Sequence, residues 1–477
     1  MLQHSTQTTQ AISKLQATQT RQLAINDRRR MIALGDALVI MVSILVSLAL
    51  WTMTSSTNFT LDYIQENLFW FPLLSLSWLF LAYANGFYNL NSVRTRLKTV
   101  QNLSITTIQF LVVYVGIFFF APRTALPRLL VLYHASLSFV LIALWRIYCL
   151  QLLHITTQVR RVAIVGCGKA SKTITHAILN HADDSYEIVG YIQDADANDP
   201  SQLGYRKIDA RMVGALNISE VVLANETPLS DVLLGQLMSA YERGVAILPM
   251  PLLYEQLTHS VPVDHINMHW QIVLPSRVES MFDVYRPFKR VFDLTLAVVG
   301  GLIFALMFPV IALAIRLDTP GDIFYSQMRV GRNGKLFRIY KFRSMVKDAE
   351  SKIGAVFAQK NDMRVTRVGK FLRKTRLDEL PQIYNVLVGD MSIIGPRPER
   401  PEHIERLMQT IPFYNTRQVV RPGLTGWAQV CYPYGSNDED SRRKLEYDLY
   451  YVRHANPLLD GSIIWRTIGK VLSMSGQ

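Results

Sequence analysis

The chain has 477 residues, of which 49% are apolar and 18% charged, whereas an average soluble protein has about 25% charged residues. Its 50 lysines and arginines outnumber its 37 acidic residues, which gives a formal net charge of +13. Because this surplus accompanies long uncharged runs, the composition excludes a disordered chain and a soluble nucleic-acid-binding protein, and we expect no nucleic-acid partner. The three cysteines, Cys149, Cys167 and Cys431, lie far apart without a Cys-x-x-Cys pair, which excludes a disulfide framework and a thiolate zinc site.

Residues 1–30 are predicted to form a disordered cytosolic lead. The segment is rich in Gln and Thr, lacks a continuous apolar core and ends in Asp27 followed by three arginines. A cleaved signal peptide has an apolar core after its basic residues, so this segment is not interpreted as one.

Residues 31–155 are predicted to form four transmembrane helices. The prediction rests on four apolar segments, at residues 37–61, 67–93, 99–122 and 129–145. The first three are 24 to 27 uncharged residues long, and a spanning helix needs about 20. The fourth is shorter and spans if Arg128 and Arg146 extend to opposite membrane interfaces.

The charges of the loops predict the orientation of these helices. The first connection carries Asp62 and Glu66 without any Lys or Arg, whereas the lead, residues 94–98 and the exit at Arg160 and Arg161 are basic. Basic loops stay on the cytosolic side, so the chain after residue 155 is expected in the cytosol.

Residues 156–260 are predicted to form a Rossmann-like α/β module. A β-branched strand at residues 161–165 is followed by Gly166-Cys167-Gly168 and a helical pattern, and further strands are expected at residues 187–192, 221–223 and 245–248. The third glycine of the dinucleotide fingerprint is Ser171 here. A bound nucleotide and a purely structural or regulatory role both remain open.

A predicted linker, residues 261–284, leads to a fifth apolar segment. Residues 294–315 are uncharged and have basic residues on both sides, so neither end is marked as external. Pro309 removes a backbone hydrogen bond within the segment. We predict a re-entrant helix over residues 291–316, broken at Pro309, that enters and leaves on the cytosolic side; a fifth spanning helix is the alternative.

The acidic pair Asp378-Glu379 directly follows the cations Arg373, Lys374 and Arg376. Ion pairs on an exposed helix face would explain the cluster without any chemistry. Alternatively, the cations hold phosphate oxygens, one carboxylate attacks phosphorus, and the other helps to hold Mg²⁺, which usually binds one or two carboxylates and substrate phosphates.

Two further stretches place cations on rigid backbone. Arg397 lies between Pro396 and Pro398, so its guanidinium is held at small entropic cost, although an ordinary turn has the same sequence. Lys341 and Arg343 alternate with aromatic residues as on a strand, which predicts that both point to one face; a solvated edge strand is the alternative. Residues 421–427 are predicted to form a turn that closes an apolar patch.

From about residue 285 to the end, the chain resembles the bacterial sugar transferase domain of polyprenyl-phosphate hexose-1-phosphate transferases. Four motifs carry the resemblance: Lys-Phe-Arg-Ser-Met at 341–345, Leu-Asp-Glu-Leu-Pro-Gln at 377–382, Gly-Pro-Arg-Pro at 395–398 and Arg-Pro-Gly-Leu-Thr-Gly-Trp-Ala-Gln-Val at 421–430. The four spans and the Rossmann-like module look like the long form of the family. The resemblance implies a mainly helical, monotopic phosphoglycosyl transferase domain over residues 285–477.

The resemblance also implies an activity and a location. It implies transfer of a sugar-1-phosphate from a UDP-sugar to undecaprenyl phosphate, with release of UMP, as the first step of exopolysaccharide or O-antigen synthesis. The enzyme would be a multi-pass protein of the bacterial inner membrane whose catalytic domain faces the cytosol. The transferred sugar remains open, with glucose and galactose as the family's common choices, and so does the oligomeric state, for which a homodimer is one arrangement.

Site residues follow from the resemblance position by position. Asp378 corresponds to the nucleophile of a covalent phosphosugar intermediate, and Glu379 to its Mg²⁺-associated partner. The expected substrate-binding residues are Lys341, Arg343, Arg373, Arg376, Pro396 and Arg397. The family's re-entrant helix breaks at a Ser-Pro pair, whereas this chain has Phe308-Pro309 and keeps only the proline.

Two other function classes agree less well with the sequence. A membrane-bound nucleotide-sugar dehydratase or epimerase needs a second glycine-rich site and a Tyr-x-x-x-Lys pair. Tyr285 and Lys289 have that spacing, but Pro287 lies between them and an apolar segment follows. A non-enzymatic membrane scaffold would leave the ordered cationic motifs without a purpose.

Overall fold

A computed structural model describes eleven stretches of the chain: residues 25–54, 69–88, 96–120, 128–154, 159–182, 185–193, 206–225, 228–265, 285–346, 362–432 and 437–472. The chain divides into two compact units, Met1–Gln158 and Val159–Gln477. Most of the predicted lead, residues 1–24, and most of the predicted linker, residues 266–284, lie outside the described stretches. The end of the lead, residues 25–30, is helical, so the prediction of disorder is wrong there.

The first unit contains the four predicted apolar helices. They are α1 (Ile25–Thr54), α2 (Trp70–Ala84), α3 (Arg96–Phe120) and α4 (Arg128–His154). Within α1, α3 and α4, stretches of 19 to 23 residues are long and apolar enough to cross a membrane. Helix α2 has only 15 residues. At 1.5 Å per residue it is shorter than the roughly 30 Å hydrocarbon core, so the second predicted span is shorter than expected.

A buried ion pair joins the first and last of these helices. The guanidinium of Arg146 lies 2.5 Å from the carboxylate of Asp36, and both side chains are fully buried. The ring of Phe87 covers the guanidinium at 4.0 Å. The prediction that Arg146 extends to the membrane interface is therefore wrong. Because an unpaired charge inside an apolar bundle is costly, the pair fixes α1 against α4.

The second unit begins with a parallel five-stranded sheet. Its strands are β1 (Arg160–Val165), β2 (Tyr186–Ile192), β3 (Lys207–Ile208), β4 (Glu220–Leu223) and β5 (Ala246–Pro249), and its helices are α5 (Lys169–His181), α6 (Asp231–Glu242) and α7 (Met250–Thr258). The strand order β3-β2-β1-β4-β5 is that of the first five strands of a Rossmann fold. Helices α5 and α7 cover one face and α6 covers the other, which confirms a Rossmann-like module.

The rest of the second unit is mainly helical, as expected. Its elements are α8 (Tyr285–Asp318), β6 (Phe324–Val330), β7 (Leu336–Phe342), α9 (Arg367–Thr375), α10 (Ile383–Val388), β8 (Ser392–Ile394), α11 (Pro401–Thr410), β9 (Gly423–Thr425), α12 (Trp427–Cys431), α13 (Asp438–His454) and α14 (Pro457–Leu472). Strands β6 and β7 form an antiparallel hairpin, and β8 pairs with β9 in parallel.

Helix α8 packs along this fold over much of its length. Ala297, near its start, packs in one core with Ile339 of β7, and Ile311, near its end, packs in another with Phe342 of the same strand. The helix is continuous through Pro309, so the predicted break at this residue is wrong: one helix of 34 residues stands in place of the expected helix over 291–316. Its opposite face is apolar and exposed, with Val298, Leu302, Leu306, Val310 and Leu313 among its residues.

The Rossmann-like module is joined to helix α13 by ionic and main-chain contacts. Glu255 of α7 lies 2.8 Å from Arg453 and 2.8 Å from His454. The Val261 N–H donates to the carbonyl of Glu446 at 3.0 Å. The described start of the predicted linker therefore lies against the helical part of the unit.

Candidate active site

The acidic pair lies in a short 3₁₀ helix, Leu377–Gln382, that directly follows α9. Arg376 ends α9 in a left-handed conformation, with a φ of 63°, and so turns the chain into the 3₁₀ segment. Both Asp378 and Glu379 are 7% exposed. The prediction of an exposed helix face with surface ion pairs is therefore excluded.

Glu379 is clamped by two cations from distant parts of the chain. Its Oε1 accepts a hydrogen bond from Nζ of Lys341 at 2.7 Å and a short one from Arg397, whose second nitrogen donates to Oε2 at 3.3 Å. Burial alone would raise the pKa of Glu379, but the charges of Arg397 and Lys341 outweigh it and hold this pKa well below the usual range. The carboxylate is therefore ionised at neutral pH.

Asp378 has a different environment from its neighbour. Its Oδ1 is buried and has no hydrogen-bond partner within the described stretches. Burial, and next the charge of Glu379, raise its pKa to about 6, although Lys341, Arg373 and Arg397 oppose the shift. The pKa values of the two adjacent carboxylates are thus shifted in opposite directions, and only one of the two is clamped by cations, which is the pattern of groups with separate chemical roles.

Strand β7 delivers Lys341 to the acidic pair. Along this strand the side chains alternate, so that Phe342 enters the core beneath α8 while Lys341 reaches Glu379. Lys341 is paired with Tyr325 of β6 in the hairpin, which fixes its register. The alternative of a solvated edge strand does not hold for Lys341, because its ammonium contacts a buried carboxylate.

The loop that carries Arg397 is backed by the β8–β9 pair. The N–H of Gly395 donates to the carbonyl of Thr425, and the N–H of Gly423 donates to the carbonyl of Pro396, both at 2.9 Å. A side chain at Gly395 would lie 2.3 Å from the carbonyl oxygen of Arg421. The motif at 421–430 therefore supports the loop from behind, as a strand and a helix start rather than the predicted turn.

The remaining predicted cations have different positions. Arg373 and Arg376 lie close enough to the acidic pair to lower its pKa values. Arg343 lies elsewhere: its buried guanidinium donates to the carbonyls of Thr319 at 2.6 Å and Pro320 at 3.1 Å. The prediction that it shares a face with Lys341 is wrong, because β7 ends one residue before it and it closes the end of α8.

The sequence motifs did not indicate Arg417. This residue lies between the motif at 395–398 and the motif at 421–430. Its side chain is buried, and its guanidinium donates to the carbonyl of Arg397 at 2.9 Å. The same guanidinium forms an ion pair with Asp448 of α13 at 2.7 Å. A buried arginine is recognised only once its partners are known, so no pattern near residue 417 could have indicated it.

The acidic pair also bears on metal binding. Within the described part of the chain, no three His, Cys, Asp or Glu residues come together as a metal cluster. Mg²⁺ does not need such a cluster when substrate phosphates supply the other ligands. The carboxylates of Asp378 and Glu379 are the hard oxygen donors that this site offers.

Comparison with known protein families gives two matches. Residues 284–474 match the family described as bacterial sugar transferase, and residues 83–212 match the family described as CoA-binding domain. The first match contains the whole acidic and cationic cluster. The second match contains helices α3 and α4 and the first half of the Rossmann-like module.

Characterised relatives cover the same regions. The chain is 45% identical over 46% of its length to a UDP-N-acetylgalactosamine-undecaprenyl-phosphate N-acetylgalactosaminephosphotransferase of Aeromonas hydrophila, of which the match covers 51%. It is 33% identical over 70% of its length to an undecaprenyl-phosphate glucose phosphotransferase of Komagataeibacter xylinus, of which 64% is covered. It is 40% identical over 38% of its length to the exopolysaccharide production protein PSS of Rhizobium leguminosarum bv. phaseoli, of which 92% is covered. The match thus spans between half and two thirds of the first two relatives.

Proposed function

The chain belongs to the bacterial sugar transferase family, and from that premise we propose that it transfers a sugar-1-phosphate from a UDP-sugar to undecaprenyl phosphate. The names of the relatives from Aeromonas and Komagataeibacter support the acceptor, and the first of them supports a UDP-sugar donor. The observation that carries the proposal is the buried pair Asp378-Glu379, in which one carboxylate is clamped by cations and the other keeps an oxygen without a hydrogen-bond partner among the described residues.

Asp378 is the proposed nucleophile. A carboxylate oxygen of Asp378 forms a bond to the phosphorus that bears the sugar, and the bond from that phosphorus to the bridging oxygen of UMP breaks, so UMP leaves with the electron pair. In the second step an oxygen of undecaprenyl phosphate attacks the same phosphorus and releases the carboxylate. A single cleft therefore serves a water-soluble donor and a lipid acceptor in turn.

The cations around the pair are proposed to bind the diphosphate. Arg397 and Lys341 contact Glu379 directly, and Arg373 and Arg376 lie near the acidic pair. Together these four positive charges would stabilise the phosphate oxygens as negative charge moves to UMP. Pro396 is proposed to lie beside the nucleotide. Arg343 is no longer proposed to bind substrate, because its guanidinium is engaged by main-chain carbonyls.

Mg²⁺ is the proposed cofactor, and the residues fit it. Glu379 stays ionised, and its Oε2 accepts a long hydrogen bond of 3.3 Å from Arg397, so this second oxygen keeps coordinating capacity. Glu379 would hold the ion together with phosphate oxygens of the donor. When bound, the ion supplies positive charge next to the leaving phosphate.

The membrane attachment of the catalytic domain is proposed to be monotopic. Helix α8 packs against both ends of strand β7, from Ala297 to Ile311, so it runs beside the catalytic strand. A helix that crossed the bilayer would draw Lys341 and the acidic pair into the hydrocarbon. We therefore propose that α8 enters the cytosolic leaflet of the bacterial inner membrane through its exposed apolar face without crossing, as a continuous helix rather than one broken at Pro309.

The dehydratase or epimerase alternative gains no support from its Tyr-x-x-x-Lys pair. The hydroxyl of Tyr285 donates to Asp460 at 2.6 Å, and Nζ of Lys289 lies 3.0 Å from the same carboxylate. Both side chains thus hold α8 against α14. A catalytic tyrosine and lysine would instead face a dinucleotide.

A donor panel tests the proposal. Membranes containing the protein are incubated with undecaprenyl phosphate and, in turn, UDP-glucose, UDP-galactose or UDP-N-acetylgalactosamine, and UMP is measured. We expect one donor to release UMP. When the phosphate next to the sugar of that donor carries ³²P, we expect the label to be trapped on Asp378. A protein that releases UDP, or transfers sugar without becoming labelled, contradicts the proposal. Initiation of exopolysaccharide or O-antigen synthesis is the proposed role of the product.

A further inference from the structure

Arg417 lies at the centre of a buried network behind the Gly-Pro-Arg-Pro loop. Its Nη2 donates to the carbonyl of Arg397 at 2.9 Å and lies 2.7 Å from the carboxylate of Asp448. Its Nη1 donates to the hydroxyl of Tyr414 at 2.8 Å. The side chain of Asp448 is almost completely buried on helix α13.

From these contacts we infer that Arg417 is a positioning residue of the transfer reaction, which holds the main chain of Arg397 so that its guanidinium meets the donor phosphates beside Glu379. The inference rests on the proposed function, because it takes the diphosphate to be bound by Arg397. Arg417 acts only through its hydrogen bond to the Arg397 carbonyl, so it is not itself a catalytic residue.

The loop needs this contact because its other restraints act elsewhere. Pro396 and Pro398 fix φ on either side of Arg397, and Gly423 holds the carbonyl of Pro396. The peptide plane that follows Arg397 is set by the hydrogen bond from Arg417. The Arg397 side chain is 31% exposed, so little packing holds it on the outer side of the loop.

The geometry requires an arginine at position 417. One planar guanidinium contacts the carbonyl of Arg397, the carboxylate of Asp448 and the hydroxyl of Tyr414 at the same time. A lysine ammonium on a flexible chain cannot contact all three groups in the same directions. Asp448, at 2.7 Å, neutralises the charge of this buried guanidinium. Helix α13 thus carries on one side the contacts to the Rossmann-like module and on the other the support of the active-site loop.

A test must separate a positioning effect from a loss of folded protein. Replacing Arg417 alone would leave Asp448 buried without its partner and threaten folding. The paired replacement Arg417→Met with Asp448→Leu removes both charges and leaves apolar side chains in their places. The Arg406→Met variant is the matched control, because Arg406 forms an exposed ion pair with Asp438 of the same helix α13.

The measurement is a single turnover of UMP release, with enzyme in excess over the labelled UDP-sugar that the donor panel identifies. The amplitude of UMP release measures the fraction of enzyme molecules that are folded and react. The rate constant of UMP release depends on how the groups of the active site are arranged. We expect the paired variant to keep its amplitude while its rate constant falls by about 10- to 100-fold. The Arg406→Met control should match the wild type in both. A paired variant with a reduced amplitude and the wild-type rate constant would show a purely structural role and overturn the inference.

A second comparison tests whether Arg417 acts through Arg397. In an Arg397→Lys background, the paired replacement should reduce the rate constant by less than about 3-fold, because the group that it positions is already lost. A full additional loss would mean that Arg417 acts by another route and would also overturn the inference. Failure of the proposed function is distinct, since the wild type itself would then release no UMP from any UDP-sugar.

Discussion

Glu379 and Arg397 are 18 residues apart in sequence, and the two terminal guanidinium nitrogens of Arg397 contact the two carboxylate oxygens of Glu379. The contact joins the 3₁₀ segment after α9 to the loop between β8 and α11, and Lys341 of β7 reaches the same carboxylate. Three motifs that are separate in sequence therefore meet at one buried acid. The adjacent Asp378 takes no part in this clamp, which leaves it available for reaction.

Replacing the proposed nucleophile should abolish transfer without unfolding the protein. Asp378→Asn keeps the shape of the side chain, but an amide cannot attack phosphorus, so kcat should fall on the order of 10⁴-fold or more. The Oδ1 atom of Asp378 is buried and has no hydrogen-bond partner in the part of the chain that the structure describes, so folding should lose little. Single-turnover UMP release and thermal unfolding measure the two effects. Residual activity within tenfold of the wild type would contradict covalent catalysis by Asp378.

The rate of UMP release should depend on pH in a defined direction. Burial and the charge of Glu379 raise the pKa of Asp378 to about 6, and only the ionised carboxylate attacks phosphorus. Below pH 6 the rate of the first half-reaction should therefore fall about tenfold for each pH unit. Measurement without the lipid acceptor removes the titration of its phosphate. A rate that stays constant down to pH 5 would show that Asp378 has no raised pKa.

The Glu379→Gln variant provides a second check on that assignment. Because the charge of Glu379 raises the pKa of Asp378, its removal should shift the acidic limb of the pH profile to lower pH. The loss of a proposed Mg²⁺ ligand should at the same time lower the rate on the plateau. If the midpoint of the acidic limb is unchanged in this variant, the fall in rate at low pH is caused by the titration of a group other than Asp378.

Sequence patterns were sufficient for the elements with strong local signals. The apolar helices and four of the five strands of the Rossmann-like module follow from hydrophobic periodicity, whereas the roles expected of Asp378 and Glu379 came from the resemblance to the family. Contacts between distant residues were not accessible in this way. Arg146 pairs with Asp36 across 110 residues, and Arg417 meets Asp448 of another helix. In both cases the partner decides whether a charge is buried, and sequence spacing does not identify the partner.

Arg343 illustrates the same limit and gives a further prediction. Its guanidinium donates to the carbonyls of Thr319 and Pro320, and Gly321 lacks the side chain that would obstruct it. Arg343→Met should leave these carbonyls unsatisfied and lower stability by about 1–3 kcal/mol. The single-turnover rate constant of the folded molecules should stay within about 3-fold of the wild type, since Lys341 and Arg397 are untouched. A normal melting temperature with a lost rate would restore Arg343 to the substrate-binding residues.

The buried ion pair of the first unit predicts an asymmetric response to mutation. Arg146→Met leaves the Asp36 carboxylate buried and unpaired, which should cost about 3–5 kcal/mol. The double variant Arg146→Met with Asp36→Leu removes both charges and should recover most of that loss. Thermal unfolding in detergent compares the three proteins. Equal loss in the single and double variants would mean that the pair is not the source of the stability.

The Rossmann-like module can be tested at Gly166, where the backbone requires glycine. This residue has a φ of +102°, and an added Cβ would lie 2.9 Å from the carbonyl oxygen of Ala224. Gly166→Ala should therefore destabilise the module by about 1–3 kcal/mol. If the module is structural, UMP release by the folded protein should keep its wild-type rate constant, because the acidic pair lies in other elements. A slower rate in protein that is fully folded would instead show that the turn between β1 and α5 influences the chemistry through the module and its contacts with α13.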